Sequence, residues 1–317
     1  MTLRLPAFGL GGGPLGNLFH AVDDATALST MDAAWACGVR FFDTAPHYGL
    51  GLAERRMGEA LRHRPRAEYV LSTKVGRLLV PQDAPAGTRD PDIFDVPATH
   101  RRVFDFSRDG VRRSVEESLS RLGLDRVDIL LLHDPDEHWR QAVDEGYPAL
   151  AELRAAGTVR AIGVGMSDAR LLTDFVRHTD PDLVMVAARY TLLDRSAADE
   201  LLPLCLQRGV PAIAVALFGY GLLATDRPAG GPPRGGAPDE RWRRAARIRE
   251  VCARHGVPVT AAAMRFPLRH PAVAAVVVGC HTAAQVRHNR ALFDRAIPAG
   301  LWADLEAGGL VDRPATT

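Results

Sequence analysis

Phe8-Gly9-Leu10-Gly11-Gly12-Gly13-Pro14-Leu15 lies at the end of the first apolar run in a chain of 317 residues. An open nucleotide-binding sheet carries G-x-G-x-x-G between its first strand and the helix that follows, so that the last glycine lets helix and strand pack closely. Here the glycines run into Pro14 and Leu15, and no helical period begins. The stretch therefore reads as a strand, residues 6–11, followed by a tight glycine-rich turn.

Outward from it, one punctuation mark recurs: an amphipathic stretch, a glycine, then a short β-rich run. Gly38 precedes Val39-Arg40-Phe41-Phe42, Gly157 precedes Thr158-Val159-Arg160-Ala161-Ile162, Gly209 precedes Val210-Pro211-Ala212-Ile213, and Gly256 precedes Val257-Pro258-Val259. A glycine just past the last helical turn takes the left-handed cap conformation, and the next strand or connector begins after it. Helical periods cover residues 25–37, 111–122 behind Ser107 or Asp109 as cap, 139–156, 169–177, 196–208, 240–255 and 283–292. Short apolar runs at 6–11, 41–45, 69–74, 127–133, 161–165, 183–187, 212–217 and 274–279 suit strands covered by helices in a parallel sheet. Eight such strands alternating with helices predict a (β/α)8 TIM barrel forming one domain over residues 1–317, with a doubly wound open sheet as the alternative. Two segments break the rhythm: 76–109 after the third strand, and the Pro/Gly-rich 225–239 after the seventh. Long structureless loops of this kind are expected to be lids or disordered, and both lie at the strand ends where barrels place active sites.

Composition narrows the function. Lys and Arg number 39 against 38 Asp and Glu, a net charge of +1 that supplies no basic footprint for nucleic acid. The cluster Arg241-Trp242-Arg243-Arg244, with Arg247 and Arg249, reads as a solvated helix face interleaved with Ala245, Ala246 and Ile248. No apolar stretch is long enough for a membrane helix, and the first residues show no signal-peptide core, so the expected location is cytoplasmic. Cys37, Cys205, Cys252 and Cys280 are widely spaced and predict four buried free thiols.

Chemistry concentrates at three successive strand ends. Asp43 ends the second strand, with Tyr48 five residues later; Lys74 ends the third and His133 the fourth. In a barrel these side chains converge at one mouth. A buried lysine beside a tyrosine favours the phenolate and lowers its pKa; an aspartate keeps the ammonium charged, and a histidine can hydrogen-bond a substrate oxygen.

In these residues the sequence resembles the aldo-keto reductase family. The resemblance runs through Phe42-Asp43-Thr44-Ala45, Tyr48-Gly49, Glu54, Gly58, Thr73-Lys74, Leu131-Leu132-His133, Ile162-Gly163-Val164-Gly165, Gly221-Leu222-Leu223-Ala224 and Val277-Val278-Gly279-Cys280-His281 to Asn289. The runs Arg189-Tyr190-Thr191-Leu192-Leu193 and His133-Asp134-Pro135-Asp136, with the tail Pro298-Ala299-Gly300-Leu301-Trp302, look most like the branch of D-threo-aldose 1-dehydrogenases, which is similar to pyridoxal 4-dehydrogenases. The resemblance implies a barrel that binds NAD or NADP across its strand ends and acts on a small sugar or carbonyl compound. It implies Tyr48 as acid/base, Lys74 as its partner, Asp43 as support for Lys74, and His133 as the group orienting the substrate oxygen.

The expected cofactor contacts are Gly279, Thr282, Gln285 and Asn289, where a strand end, a turn and a helix N-terminus form an anion site. Thr282-x-x-Gln285 is equally a capping box. His281 or Arg287 could meet a 2′-phosphate, which leaves NAD and NADP both open. Near the nicotinamide the sequence departs from the family. Ser167 stands where many relatives have Asn, Ala187 where they have Gln, and Gly219-Tyr220 where others have Asn-Ser. Ser167 can supply a hydroxyl, and Phe218 or Tyr220 can stack on the ring; Phe218 can equally be a core aromatic. Asp134 reads as a turn residue or a substrate contact. His47 and His20 sit in loops that can border the mouth. A metal held by His133, Asp134, Asp136 and His138 is disfavoured because Pro135 interrupts the group and the first strand offers glycines instead of His-x-His. The remaining alternatives are reduction of a non-sugar aldehyde or ketone, and a cofactor-binding sensor barrel.

Overall fold

The computed structural model describes residues 3–219, 221–224 and 240–312. The 225–239 loop and Tyr220 lie outside the described residues. In chain order the strands are β1 (Phe8–Gly11), β2 (Phe41–Asp43), β3 (Val70–Val75), β4 (Arg77–Pro81), β5 (His100–Phe104), β6 (Ile129–His133), β7 (Ala161–Met166), β8 (Leu183–Ala187), β9 (Ala212–Val215) and β10 (Val273–Gly279). The helices are α1 (Asp24–Ala36), α2 (Leu52–Leu61), α3 (Arg108–Leu122), α4 (Trp139–Gln141), α5 (Tyr147–Ala155), α6 (Ala169–His178), α7 (Leu201–Arg208), α8 (Glu240–Arg254), α9 (Val259–Arg265), α10 (Ala283–Asp294) and α11 (Ala299–Ala307). Strands β1, β2, β3, β6, β7, β8, β9 and β10 pair in parallel and close into a barrel, which rules out the open sheet.

Strand parity explains what the barrel holds. Alternate residues of a strand point to opposite faces. Phe41, Val70, Ile129, Leu131, Ala161, Leu183, Met185, Ile213, Ala275 and Val277 form the inner apolar plug, whereas Leu10, Leu71, Leu130, Leu132, Val164 and Val186 face the helices. Continuing the inward series one step toward the strand C-termini gives Asp43 after Phe41, Lys74 after Ser72, and His133 after Leu131. The ionisable residues thus form the layer above a hydrophobic floor.

The helices cap much as the sequence predicts. Ser107 Oγ accepts from Gly110 N at 3.0 Å at the start of α3, and Gly123 ends that helix with φ +61°. Three helices lie outside the periods read from the sequence. In α2 the buried face mixes Ala53, Met57 and Leu61 with buried Glu54 and Arg56, so charged residues stand where a core-facing stripe is expected to be apolar. Helix α9 is buried from Val259 through Met264, so only Arg265 is left exposed and no apolar stripe stands out. Helix α11 buries only Leu301 and Leu305, too little apolar surface to make a recognisable stripe.

The segment 76–109 is not the structureless loop expected. Strands β4 and β5 form an antiparallel hairpin, with Arg77 opposite Phe104 and Pro81 opposite His100. Gly76 enters it at φ +96°, where any Cβ would meet the Phe106 ring at 2.0 Å. Beyond the hairpin, Phe94 and Val96 pack with Leu50 and Leu79. Phe19 N donates to Ile93 O at 2.8 Å and Asp95 N to Asn17 O at 2.9 Å, tying the segment to the turn after β1. Cys205, Cys252 and Cys280 are buried free thiols, but Cys37 is only half-buried. Among the described residues, no helix is long and apolar enough to cross a membrane.

Candidate active site

Tyr48 reaches the ionisable layer from the turn after β2. That turn is pressed against the one after β1: Gly49 has φ +63°, and a Cβ there would lie 2.3 Å from Gly16 O. Only glycine fits so close an approach, and it holds the neighbouring tyrosine in place. The half-buried Tyr48 ring then lies against Phe94, with centroids 5.9 Å apart, and edge-on to His133 at 5.9 Å.

Lys74 is the hub. Its Nζ donates to Asp43 Oδ2 at 2.7 Å and Thr44 O at 3.0 Å, and lies 3.1 Å from Tyr48 OH. Ser72, one inward step below Lys74, donates from Oγ to Asp43 Oδ1 at 2.7 Å, so each carboxylate oxygen has its own donor. Behind Lys74, Thr73 Oγ1 donates to the fully buried Glu54, whose other oxygen accepts from Arg121 Nε at 2.6 Å. This second pair braces β3 against α2 and α3 without facing the mouth.

Burial and charge divide the site electrically. Burial pulls the Lys74 ammonium down, but Asp43 and Tyr48 together outweigh it, so Lys74 titrates above the usual lysine range. Burial raises the Tyr48 phenol; Lys74 opposes this, without reversing it, while Asp43 and Asp134 push the same way as burial. The expected lowering of the tyrosine pKa is therefore corrected: burial of the phenol outweighs the Lys74 ammonium, whose effect the Asp43 carboxylate partly offsets. His133, 6% exposed, is held well below the usual histidine pKa by burial and by Arg77 and Lys74, so it is neutral.

His47 belongs to this site. Its ring is edge-on to His133 at 5.5 Å and to Phe94 at 5.1 Å, and burial with the charges of Arg77, Arg102 and Lys74 lowers its pKa to about 2. His20 instead stacks on His281 at 4.0 Å. Asp134 and Arg77 complete the wall. Arg77 Nη2 donates to Asp134 Oδ2, and Asp134 Oδ2 lies 3.6 Å from His133 Nε2.

The residues expected to hold a cofactor lie on other elements: Gly279 ends β10, Thr282 caps α10, Gln285 and Asn289 lie within α10, and Ser167 and Phe218 follow β7 and β9. Thr282 Oγ1 accepts from Gln285 N at 3.2 Å, capping α10 as its motif predicts. Gln285 Oε1 accepts from His281 N at 2.7 Å, one residue farther back than an ordinary capping box reaches. Asn289 Nδ2 is 3.4 Å from Cys280 Sγ. The cap thus accounts for Thr282 and the Gln285 oxygen, while His281 turns its ring toward Leu18 O, 2.9 Å away. Gly279 is exposed at the end of β10 and pairs with Gly11, and a Cβ on it would meet Pro14 at 2.8 Å. Ser167 is exposed after β7, and its carbonyl accepts from Arg189 Nε at 2.7 Å. Phe218 is half-buried against the helical core. Asp43, Tyr48, Lys74 and His133 therefore form one cluster, and the other six residues lie apart from it on β10, α10 and the segments after β7 and β9.

The aldo/keto reductase family profile matches residues 7–307, over the strands that build this cluster. The chain belongs to the aldo/keto reductase family. It is 46% identical to a D-threo-aldose 1-dehydrogenase from Pseudomonas sp, over 98% of this chain and 96% of that protein. A pyridoxal 4-dehydrogenase from Microbacterium luteolum is 37% identical over 98% of this chain and 95% of its own. Among solved structures, the holo form of an aldo-keto reductase from Bacillus halodurans superposes with TM-score 0.77 and 25% identity, covering 96% of this chain and 92% of that one.

In this aldo-keto reductase, sequence reasoning missed Ser72 and Arg77. Ser72 was legible in principle, because it shares the inward parity of Lys74. Arg77 was not, because only the hairpin carries it back to the mouth.

Proposed function

We propose that this aldo-keto reductase oxidises an aldose at C1 to its lactone with NAD or NADP. The observation that carries the reading is the chain Asp43–Lys74–Tyr48, closed at 2.7 and 3.1 Å within a buried layer facing the mouth. The similarity to a D-threo-aldose 1-dehydrogenase supports the choice of substrate.

The rim fits a dinucleotide in two respects. The twelve-residue α10 presents its capped N-terminus beside the end of β10, and Gly11 and Gly279 face the mouth without side chains. Gly279, Thr282, Gln285 and Asn289 would hold the phosphate and adenosine end, and Ser167 and Phe218 the nicotinamide. The cofactor, when bound, supplies hydride acceptance at the nicotinamide C4.

The chain's own residues do the rest. The anomeric hydroxyl takes its place between Tyr48 OH and the neutral His133, which orients it. Tyr48 receives the hydroxyl proton as C1 gives up its hydride, and the C1–O bond becomes the lactone carbonyl. Lys74 stabilises the phenolate that accepts this proton, and Asp43 keeps Lys74 charged. The raised phenol pKa favours the reverse use of the same groups, with Tyr48 donating a proton to an aldehyde or ketone. Oxidation therefore strengthens with rising pH, as more of Tyr48 becomes phenolate.

The test is reduced-nicotinamide absorbance with NAD+ and NADP+ against L-fucose, D-arabinose, L-galactose and pyridoxal, alongside NAD(P)H with aldehydes. Sugar-dependent reduction that falls by about 10²–10⁴-fold in Tyr48→Phe is expected. Turnover unchanged in that variant would remove Tyr48 from the chemistry. Absence of turnover in both directions with cofactor still bound would favour the sensor barrel.

A further inference from the structure

We infer that Asp134, pinned by Arg77, reads a hydroxyl on the substrate carbon next to the reacting one. The inference rests on the proposed oxidoreductase site and adds a specificity determinant to it.

The argument begins with His133. Its Nδ1 is buried without a hydrogen-bond partner among the described residues, so the proposed site takes Nε2 as the nitrogen toward the reacting oxygen, and Asp134 Oδ2 stands 3.6 Å from it. That gap is too long for a hydrogen bond, and His133 is neutral, so the two are not an ion pair. A vicinal hydroxyl lies within about a hydrogen bond's length of the oxygen beside it, so a diol whose first oxygen is on His133 brings its second to the Asp134 carboxylate.

Asp134 is held in place for this. Arg77 donates to its Oδ2 and, from Nε, contacts His133 O at 3.5 Å, while its guanidinium lies over Phe104 at 5.0 Å. Asp134 N donates to Gly165 O at 2.9 Å with φ +42°, a left-handed turn that aspartate tolerates. Arg77 is largely buried, its side chain 12% exposed, whereas that of Asp134 is 36% exposed. The pair therefore presents its carboxylate, more than its guanidinium, to solvent beside His133. A site meant for plain aldehydes would gain nothing from a carboxylate beside the reacting oxygen, because an apolar neighbour would desolvate it and leave it only its bond to Arg77.

The experiment compares kcat/KM for reduction of glycolaldehyde and of acetaldehyde, which differ by the one hydroxyl, in the full-length protein. The wild-type protein is expected to prefer glycolaldehyde by about tenfold or more, and Asp134→Asn to shrink that preference by roughly 10–100-fold, the range for a hydrogen bond to a charged group. Asp134→Glu should recover part of the preference, which a role confined to holding β4 against β6 would not predict. A wild-type ratio near one, or a ratio that Asp134→Asn leaves in place, overturns the inference while the oxidoreductase reading stands. Absence of turnover of either aldehyde and of every aldose in the wild-type protein overturns both. The wild-type ratio needs no variant, so misfolding of Asp134→Asn does not shield the idea.

Discussion

Lys74→Met isolates the interaction on which the site is built. Methionine keeps the approximate length and volume of lysine, so the packing around the side chain is conserved. What is lost is charge: the Lys74 and Asp43 side chains are 2% and 4% exposed, and their contact is 2.7 Å. The variant leaves a carboxylate buried with one remaining side-chain donor, Ser72 Oγ at 2.7 Å, and leaves Thr44 O without its 3.0 Å donor. Removing one partner of a buried pair costs about 3–5 kcal/mol, because the other charge stays desolvated. At roughly 2 cal/mol/K of unfolding entropy per residue, that is about 5–8 °C in Tm for a chain of this length. The decisive comparison is the double variant Asp43→Asn/Lys74→Met. It removes the stranded charge and keeps an oxygen for Ser72, so it should be more stable than Lys74→Met alone, with a coupling energy of about 2 kcal/mol or more in the cycle. Thermal and urea denaturation of the four proteins measure it directly. If Lys74→Met melts like the wild type, or the double variant is no better than the single one, Asp43 and Lys74 are not the coupled pair described here.

His47 makes stability depend on pH. Its pKa is lowered from 6.5 to about 2 in the fold, so across that interval the unfolded chain binds a proton that the folded chain excludes. Stability therefore falls as pH drops below 6.5, by up to about 1.4 kcal/mol per unit, and is regained as pH rises. Urea titrations at pH values between 4 and 7 should show a flatter slope for His47→Gln, and parallel slopes would refute the assignment. Gly58→Ala tests packing against propensity. Alanine favours a helix interior by about 1 kcal/mol, but the added Cβ would lie 1.9 Å from Leu122 O where α2 meets α3. A loss of about 3 kcal/mol or more is expected, and a rise in Tm would show that the two helices separate freely.

Period-2 alternation did most of the work that sequence alone could do. Phe41/Asp43, Val70/Ser72/Lys74 and Ile129/Leu131/His133 each keep one parity, so knowing that the strands close into a barrel is enough to place the three ionisable residues in one layer. The Gly caps and the Ser107 and Thr282 N-caps were equally legible, because each rests on contacts within a few residues. The motif from Asp43 to Tyr48 named the fourth member.

Contacts between distant segments were decided elsewhere. The hairpin of β4 and β5 hides in the sequence because its strands mix Arg and His with Val and Leu, and because Arg77 gains its meaning only against Asp134, 57 residues away. His47 became part of the site when Phe94 and His133 closed over it. The direction of the Tyr48 shift was settled the same way. Sequence supplies a lysine next to a tyrosine, whereas burial and the neutralising carboxylate, both products of the closed barrel, determine which influence is larger. Local periodicity determines which way a side chain points; only the closed tertiary structure determines what it meets and how dry the meeting place is.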